Sequence, residues 1–220
     1  IIEKIKIVSF PDICCHIITF RYIANQYITN SNILISNVNH FRRIIVEYVI
    51  LGLLLIRPMT VYDINSVFKK GISLFFSASY GSIQSALKKL LQTEKITCEE
   101  SVESGRHKKT YSITEKGSNE FFAWIESPIP ENKLEVNILS KIYFLGLVRS
   151  SKIKTAILMD MRDRIDLSLK ELSKLGIEEK QKERNDRQMQ ISNYQMKILD
   201  YGIMSMNSAR GWIEDMIKEK

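Results

Sequence analysis

The pattern of hydrophobic and polar positions becomes regular at Ile44 and divides this chain of 220 residues into three regions. Residues 1–44 are rich in Ile and Asn and show no sustained helical or strand period. We predict that they form an N-terminal extension outside the fold, irregular or foreign to the native protein. The alternative is a genuine N-terminal helix that packs on a dimer. Residues 45–127 and 128–220 each predict a folded domain.

Three helices are predicted in the first part of the second region. Val46–Ile56 is a dense apolar run that ends before Pro58, which predicts a buried helix. Thr60 and Asp63 have the spacing of a capping box for a second helix, which Gly71 can end with a left-handed residue. A third helix begins at Ser79, with one apolar stripe formed by Ile83, Leu87, Leu90 and Leu91.

A β-hairpin follows these helices. Ile96–Glu103 is rich in β-branched, alternating residues, Ser104 and Gly105 make the turn, and Lys109–Thr114 has the pattern of a return strand. Thr114 can cap a fourth helix before the prolines that mark a linker, Pro128 and Pro130. Three helices followed by a hairpin are the winged helix-turn-helix arrangement, so we predict a mainly α fold with a small β-hairpin.

The last region predicts a helical, partly coiled-coil domain over residues 128–220. Apolar residues recur in steps of three and four up to Gly176, which we expect to end the helix. A second stripe runs to Tyr201, and Gly202 permits a break before a short final helix. The candidate dimerisation residues on these stripes are Leu158, Met161, Ile165, Leu172, Leu175, Tyr194 and Ile198.

Composition and charge narrow the function classes. The net charge is +7, but residues 45–127 carry only +1, with 10 basic and 9 acidic residues, so a nucleic-acid interface must rest on local clusters. Three cysteines give no disulfide framework and fit a reducing cytoplasm. The apolar runs are too short to span a membrane. Because no catalytic or metal-ligand motif is present, we predict neither an enzyme nor a metal or cofactor site.

Two polar segments have the chemistry of DNA contacts. The third helix presents hydroxyls, an amide and two lysines without a carboxylate, and the hairpin loop is basic. Hydroxyls and wing cations suit phosphates, Gln84 suits adenine, and Lys88 suits guanine. The alternative is that these are an ordinary solvated helix face and a polar turn, with Tyr80 in the core. The predicted DNA-binding residues are Ser79, Tyr80, Ser82, Gln84, Ser85, Lys88, Lys89, Arg106, His107, Lys108 and Lys109.

Several sequence blocks resemble the PadR-like family of transcriptional regulators. The blocks are Tyr48-Val-Ile-Leu-Gly-Leu-Leu54, Pro58-Met-Thr-Val-Tyr-Asp63, Ser79-Tyr-Gly-Ser-Ile83, Ala86-Leu-Lys-Lys-Leu90, Gly105-Arg106 and Tyr111-Ser-Ile-Thr-Glu-Lys-Gly117. In the tail, Leu199-Asp-Tyr-Gly202 and Trp212 resemble the family's dimerisation domain.

The resemblance implies a homodimer that binds double-stranded DNA at a near-palindromic operator and represses a neighbouring gene. It also implies release by a small aromatic effector, for which Tyr143, Tyr201 and Trp212 are the candidate residues. The alternative function is a helical dimerisation or interaction protein that has lost specific DNA binding.

Overall fold

A computed structural model describes residues 31–103, 106–130, 133–180 and 186–219 of the chain. The first helix, α1, spans Ser31–Ile56 and ends two residues before Pro58. The prediction of an irregular segment through residue 44 is therefore wrong for residues 31–44, whereas residues 1–30 lie outside the described part. Most side chains of α1 between Ile45 and Leu54 are buried, whereas Ile56 at its end is exposed.

The elements that follow α1 have the order of a winged helix-turn-helix domain. They are β1 (Met59–Thr60), α2 (Val61–Lys70), α3 (Tyr80–Gln92), β2 (Ile96–Glu103), β3 (Arg106–Ile113) and α4 (Glu115–Glu126). The fold is thus mainly α with a small sheet, as the sequence predicts.

The sheet is antiparallel and has the strand order β1-β3-β2. Strand β3 lies in the centre, where Tyr111 is opposite Cys98 of β2 on one side and Met59 of β1 on the other. The two-residue strand β1 was not predicted, because two residues carry no period. Its pairing joins the start of α2 to the basic strand β3.

Side-chain caps set the starts of the helices. The Thr60 hydroxyl accepts from the Asp63 amide at 3.2 Å, and the Asp63 carboxylate accepts from the Thr60 amide at 2.9 Å, which completes the predicted capping box. Ser79 caps α3 and Thr114 caps α4 in the same way. Helix α2 ends at Gly71, but with φ of −119° rather than in the expected left-handed conformation.

The winged helix belongs to a compact unit that extends from Asn32 to Asp160, beyond the predicted limit at residue 127. The reason lies in α5 (Leu134–Phe144), whose Phe144 packs against Gly52 of α1. A Cβ on Gly52 would lie only 2.7 Å from the Phe144 ring and 2.8 Å from that of Phe121. This close approach places α5 on the core of the winged helix rather than in a separate tail domain.

The second compact unit includes the described residues from Met161 onward. It contains most of α6 (Ser151–Lys180) and all of α7 (Asp186–Lys218). Asp166 of α6 pairs with Arg210 of α7 at 2.6 Å, and Gly176 lies against Leu199, so the two helices run antiparallel. Helix α6 continues through Gly176 and α7 continues through Gly202, which corrects both predicted interruptions.

Candidate nucleic-acid interface

Helix α3 presents an exposed polar face whose first turn is fixed by its own cap. The Ser79 hydroxyl accepts from the Ser82 amide at 3.1 Å and lies 2.8 Å from the Ser82 hydroxyl. Tyr80 is 47% exposed, so it is not the core residue that one interpretation of the sequence allowed. Gln84, Ser85 and Lys88 are also exposed, while Ile83, Ala86, Leu87 and Leu90 are buried against the domain.

The two lysines of α3 differ in their surroundings. The Lys89 ammonium donates to both carboxylate oxygens of Glu47 at 2.8 Å, and Glu47 of α1 is buried. Lys88 points to the exposed side of the helix. Lys89 therefore anchors α3 to α1, and Lys88 is the lysine of this helix that is available to a ligand.

The basic side chains of the wing that the structure describes lie on β3. His107 and Lys109 are exposed, and Lys108 is half-buried. Lys109 pairs with Glu100 of the neighbouring strand at 2.8 Å, which lowers the pKa of Glu100 and raises the pKa of Lys109. The backbone of Arg106 begins β3, but its side chain lies outside the described residues, as does the turn at residues 104 and 105.

Helix α3 and strand β3 are two walls of one groove with a volume of about 820 Å³. The start of α2 forms the third wall. The lining residues, none of which has a carboxylate, are Thr60, Val61, Tyr62, Gln84, Leu87, Lys88, Leu91, His107, Lys108, Lys109 and Tyr111. The structure thus brings together five of the predicted DNA-contact residues: Gln84, Lys88, His107, Lys108 and Lys109.

Hydrogen bonds from Thr60 occupy the Asp63 carboxylate at the edge of the groove. Hydrogen bonds from the Thr60 amide and hydroxyl lower the pKa of Asp63, and the positive charges of Arg57 and Lys108 lower it further. On the groove wall, burial raises the pKa of Tyr111, and the neighbouring Cys98 raises it further. The groove therefore presents positive charge and neutral hydroxyls to a ligand, which suits a polyanion.

Sequence reasoning missed the α2 wall of this groove and the partner of Lys89. A signal for Tyr62 is its helical position, because Ile64 and Phe68 form the buried stripe of α2 and Tyr62 falls outside it. No local signal identifies Glu47 as the partner of Lys89, since 42 residues separate the two.

The predicted dimerisation residues separate into two groups. Leu158, Met161 and Ile165 are buried within the chain itself, and Leu172 and Leu175 are half-buried. Tyr194 and Ile198 are exposed on α7, at 71% and 49%. The second group belongs to a stripe on one face of α7, which we call the α7 stripe: Ile191, Tyr194, Ile198, Tyr201 and Trp212.

All three predicted effector residues are exposed. Tyr201 and Trp212 are exposed members of the α7 stripe. Tyr143 lies in the first unit, 42% exposed, with its ring 6.0 Å from that of Phe75 and its hydroxyl near Gly71.

The described ranges contain neither a cluster of metal-ligating side chains nor a helix able to span a membrane. Within residues 31–103, 106–130, 133–180 and 186–219, no three His, Cys, Asp or Glu side chains are grouped so that they could hold a metal ion. None of the described helices combines the length and apolar character that a membrane span requires.

Comparison with known proteins gives a family match at the winged helix. Residues 50–123 match the model of the Transcriptional regulator PadR-like family. The Negative transcriptional regulator PadR of Bacillus subtilis (strain 168) is 35% identical over 105 residues, which are 46% of this chain and 57% of that protein. The chain thus matches little more than half the length of this curated relative.

Solved structures with similar sequences were also found. The crystal structure of Bacillus subtilis PadR in complex with operator DNA is 26% identical, and the match covers 78% of this chain and 97% of that chain with a TM-score of 0.38. The crystal structure of smu.1604c from Streptococcus mutans UA159 is 26% identical, with 79% and 98% covered and a TM-score of 0.38. At these TM-scores the backbones do not superpose closely enough to equate individual positions.

Proposed function

Residues 50–123 of this chain match the PadR-like family of transcriptional regulators, and we propose that the protein represses transcription by binding operator DNA through α3 and the wing. The observation that carries the proposal is the groove between these two elements. Cations from α3 and β3 face it, and no carboxylate is among its described lining residues. Repression, rather than activation, is inferred from the name of the curated Bacillus relative.

Different residues are proposed to contact the bases and the phosphates of the DNA. Gln84 and Lys88 are placed on α3 to reach base edges in the major groove, where an amide suits adenine and an ammonium suits guanine. Lys108 and Lys109 on the wing neutralise phosphates. The pair between Lys109 and Glu100 is fully exposed, so it costs little to exchange Glu100 for a phosphate. Lys89 is left out of the interface, because it holds buried Glu47.

Dimerisation is assigned to the α7 stripe. Its members recur at helical spacing on one face, away from Leu199 and Ile213, which are buried. Exposed Tyr, Trp and Ile side chains in such a row are typical of a surface that a partner covers. We propose that a second copy of the chain covers the α7 stripe and that the dimer presents two copies of α3 to a near-palindromic operator.

Two finer parts of the proposal follow from the family. A small aromatic effector would release the protein from DNA. Tyr143, Tyr201 and Trp212 remain its predicted contacts. Tyr201 and Trp212 are also members of the α7 stripe, the proposed dimer interface. As a regulator of transcription, the protein would act in the cytoplasm.

The test is binding of the full chain to the DNA that flanks its own gene, measured by fluorescence anisotropy at several salt concentrations. A DNA-binding regulator gives a specific complex whose affinity falls steeply with salt. A helical interaction protein without DNA binding, the competing function, gives no salt-sensitive specific complex with any flanking fragment.

A further inference from the structure

The start of α2 forms the third wall of the groove between α3 and β3, and the proposed DNA contacts do not include it. Lys88 of α3 and Lys108 of β3 stand on two sides of the groove, and Tyr62 of α2 stands on the third. A DNA strand that contacts both lysines must cross the space between them. It therefore passes the start of α2.

Tyr62 is unusual among the groove residues because its large aromatic side chain is 76% exposed. Further along α2, Ile64 is fully buried, whereas Val61 is half-buried and also lines the groove. The capping box formed by Thr60 and Asp63 fixes the first turn of α2, and the pairing of β1 with β3 fixes that turn relative to the wing. The Tyr62 side chain is thus held out at the groove on a rigid base.

The chemistry of the α2 wall selects the kind of contact. The Asp63 carboxylate accepts from the Thr60 amide and hydroxyl at 2.9 and 2.8 Å, so it is turned back onto the helix start. That leaves the Tyr62 ring and hydroxyl as the exposed groups beside three lysines. A tyrosine hydroxyl donates to phosphate oxygens, and its ring packs on deoxyribose. Neither of these partners depends on the base sequence.

We propose that Tyr62 contacts the sugar-phosphate backbone of the strand that crosses this groove, which makes the start of α2 a third DNA-contact element beside α3 and the wing. The inference rests on the proposed function. The Tyr62 contact adds affinity for all DNA sequences and carries no charge. These two properties separate Tyr62 from Lys88, whose contact discriminates bases, and from Lys108, whose contact releases counterions.

The experiment compares Tyr62→Phe and Tyr62→Ala with the unaltered full chain. Affinity is measured by fluorescence anisotropy for the operator duplex and for an unrelated duplex of equal length, each over a salt series. Loss of a hydrogen bond to a charged group predicts an affinity roughly ten- to a hundredfold lower for Tyr62→Phe, by the same factor on both duplexes. Because no charge is removed, the slope of affinity against salt stays unchanged. Tyr62→Ala loses the ring contact as well and binds more weakly still.

The matched control is Ser73→Ala, which removes an exposed hydroxyl of the same domain that does not line the groove. It should leave both affinities unchanged, and thermal unfolding should be the same for all four proteins because both altered side chains are exposed. Equal affinity of Tyr62→Ala and the unaltered chain would overturn the inference alone. A loss confined to the operator would overturn the backbone assignment in favour of base readout. If the unaltered chain binds neither duplex, the proposed function fails and the inference fails with it.

Discussion

Single residues in this domain take their roles from partners that are far away in the chain. Lys88 and Lys89 are neighbours in sequence, yet the half-buried Lys89 is paired with buried Glu47, whereas Lys88 is exposed. Breaking a buried pair leaves an uncompensated charge, so Lys89 is expected to matter for stability and Lys88 for recognition. The surface charge of α3 is therefore smaller than its sequence suggests.

Lys141 of α5 is the most deeply buried cation of the described chain, with 1% of its surface exposed. Its ammonium donates to the backbone carbonyl and the hydroxyl of Ser127 and lies 5.7 Å from the centre of the Trp124 ring. Burial lowers the pKa of Lys141 from 10.5 to about 8, while the charge of Asp160 opposes this shift. The folded chain thus binds a proton at this site less tightly than the unfolded chain.

Deprotonation of Lys141 should make the free energy of unfolding depend on pH. Between about pH 8 and pH 10.5 the unfolded chain holds a proton on Lys141 that the folded chain has lost, so this group adds stability as the pH rises through that window. The free energy of unfolding of the unaltered chain should rise relative to that of Lys141→Met, which has no such proton, by up to about 3 kcal/mol. Denaturant unfolding at pH 7.5 and at pH 10 measures the difference. A difference that is independent of pH would show that Lys141 titrates alike in both states.

At the scale of elements, the hairpin and α4 are joined through backbone contacts. Thr114 donates from its amide to the carbonyl of Lys95 at 3.1 Å and from its hydroxyl to the carbonyl of Glu94 at 2.8 Å. Gly117, in the first turn of α4, lies so close that a Cβ there would be 2.1 Å from the Lys95 carbonyl oxygen. The wing is positioned by this junction as well as by its pairing with β1.

We expect Gly117→Ala to lower the free energy of unfolding by about 2 kcal/mol or more, because a backbone oxygen cannot move aside as a flexible side chain can. The matched control is Gly146→Ala, where an added Cβ would meet no atom within 4 Å. It should leave stability within about 0.5 kcal/mol of the unaltered chain. Denaturant unfolding measures both, and equal effects of the two substitutions would refute the close junction.

Elements with local signals were predictable from the sequence, and elements set by distant contacts were not. The hydroxyl caps at Thr60 and Thr114, the start of a helix at Ser79 and the strand Ile96–Glu103 follow from short patterns, and all are confirmed. Gly176 and Gly202 were expected to interrupt helices, since glycine costs about 1 kcal/mol in a helix interior. The packing of α6 against α7 offsets that cost, and both helices continue.

The candidate site was predicted in part for the same reason. The exposed face of α3 and the basic strand β3 have compositional signals. The α2 wall and the Glu47 partner of Lys89 depend on tertiary packing, which a single sequence does not reveal.

At the scale of the whole molecule, the two compact units divide the proposed work. The unit from Asn32 to Asp160 holds the groove, and the described residues from Met161 onward hold the α7 stripe. Because Met161 and Ile165 are buried in the chain, a dimer seam on α6 would require them to leave their places. The α7 stripe needs no such change, so it is the better dimerisation surface.

Ile198→Glu places a charge in the centre of the α7 stripe and should convert the proposed dimer to a monomer, because burying an unpaired carboxylate is costly. Sedimentation velocity measures the change. Gln195→Glu is the control, since Gln195 is equally exposed on α7 but outside the stripe, and it should leave the dimer intact. If the Ile198→Glu protein is still dimeric, the dimer interface is not the α7 stripe.

DNA reading by α3 and the wing is best tested by an affinity ratio, namely the affinity for the operator divided by the affinity for an unrelated duplex. The ratio is measured for the unaltered chain, for Lys88→Ala and for the control Lys69→Ala. Lys69 is an exposed lysine of α2 that does not line the groove. A lost base-edge contact is worth about 1–3 kcal/mol, so the ratio should fall roughly tenfold or more for Lys88→Ala and stay constant for Lys69→Ala. An unchanged ratio for Lys88→Ala would contradict the account.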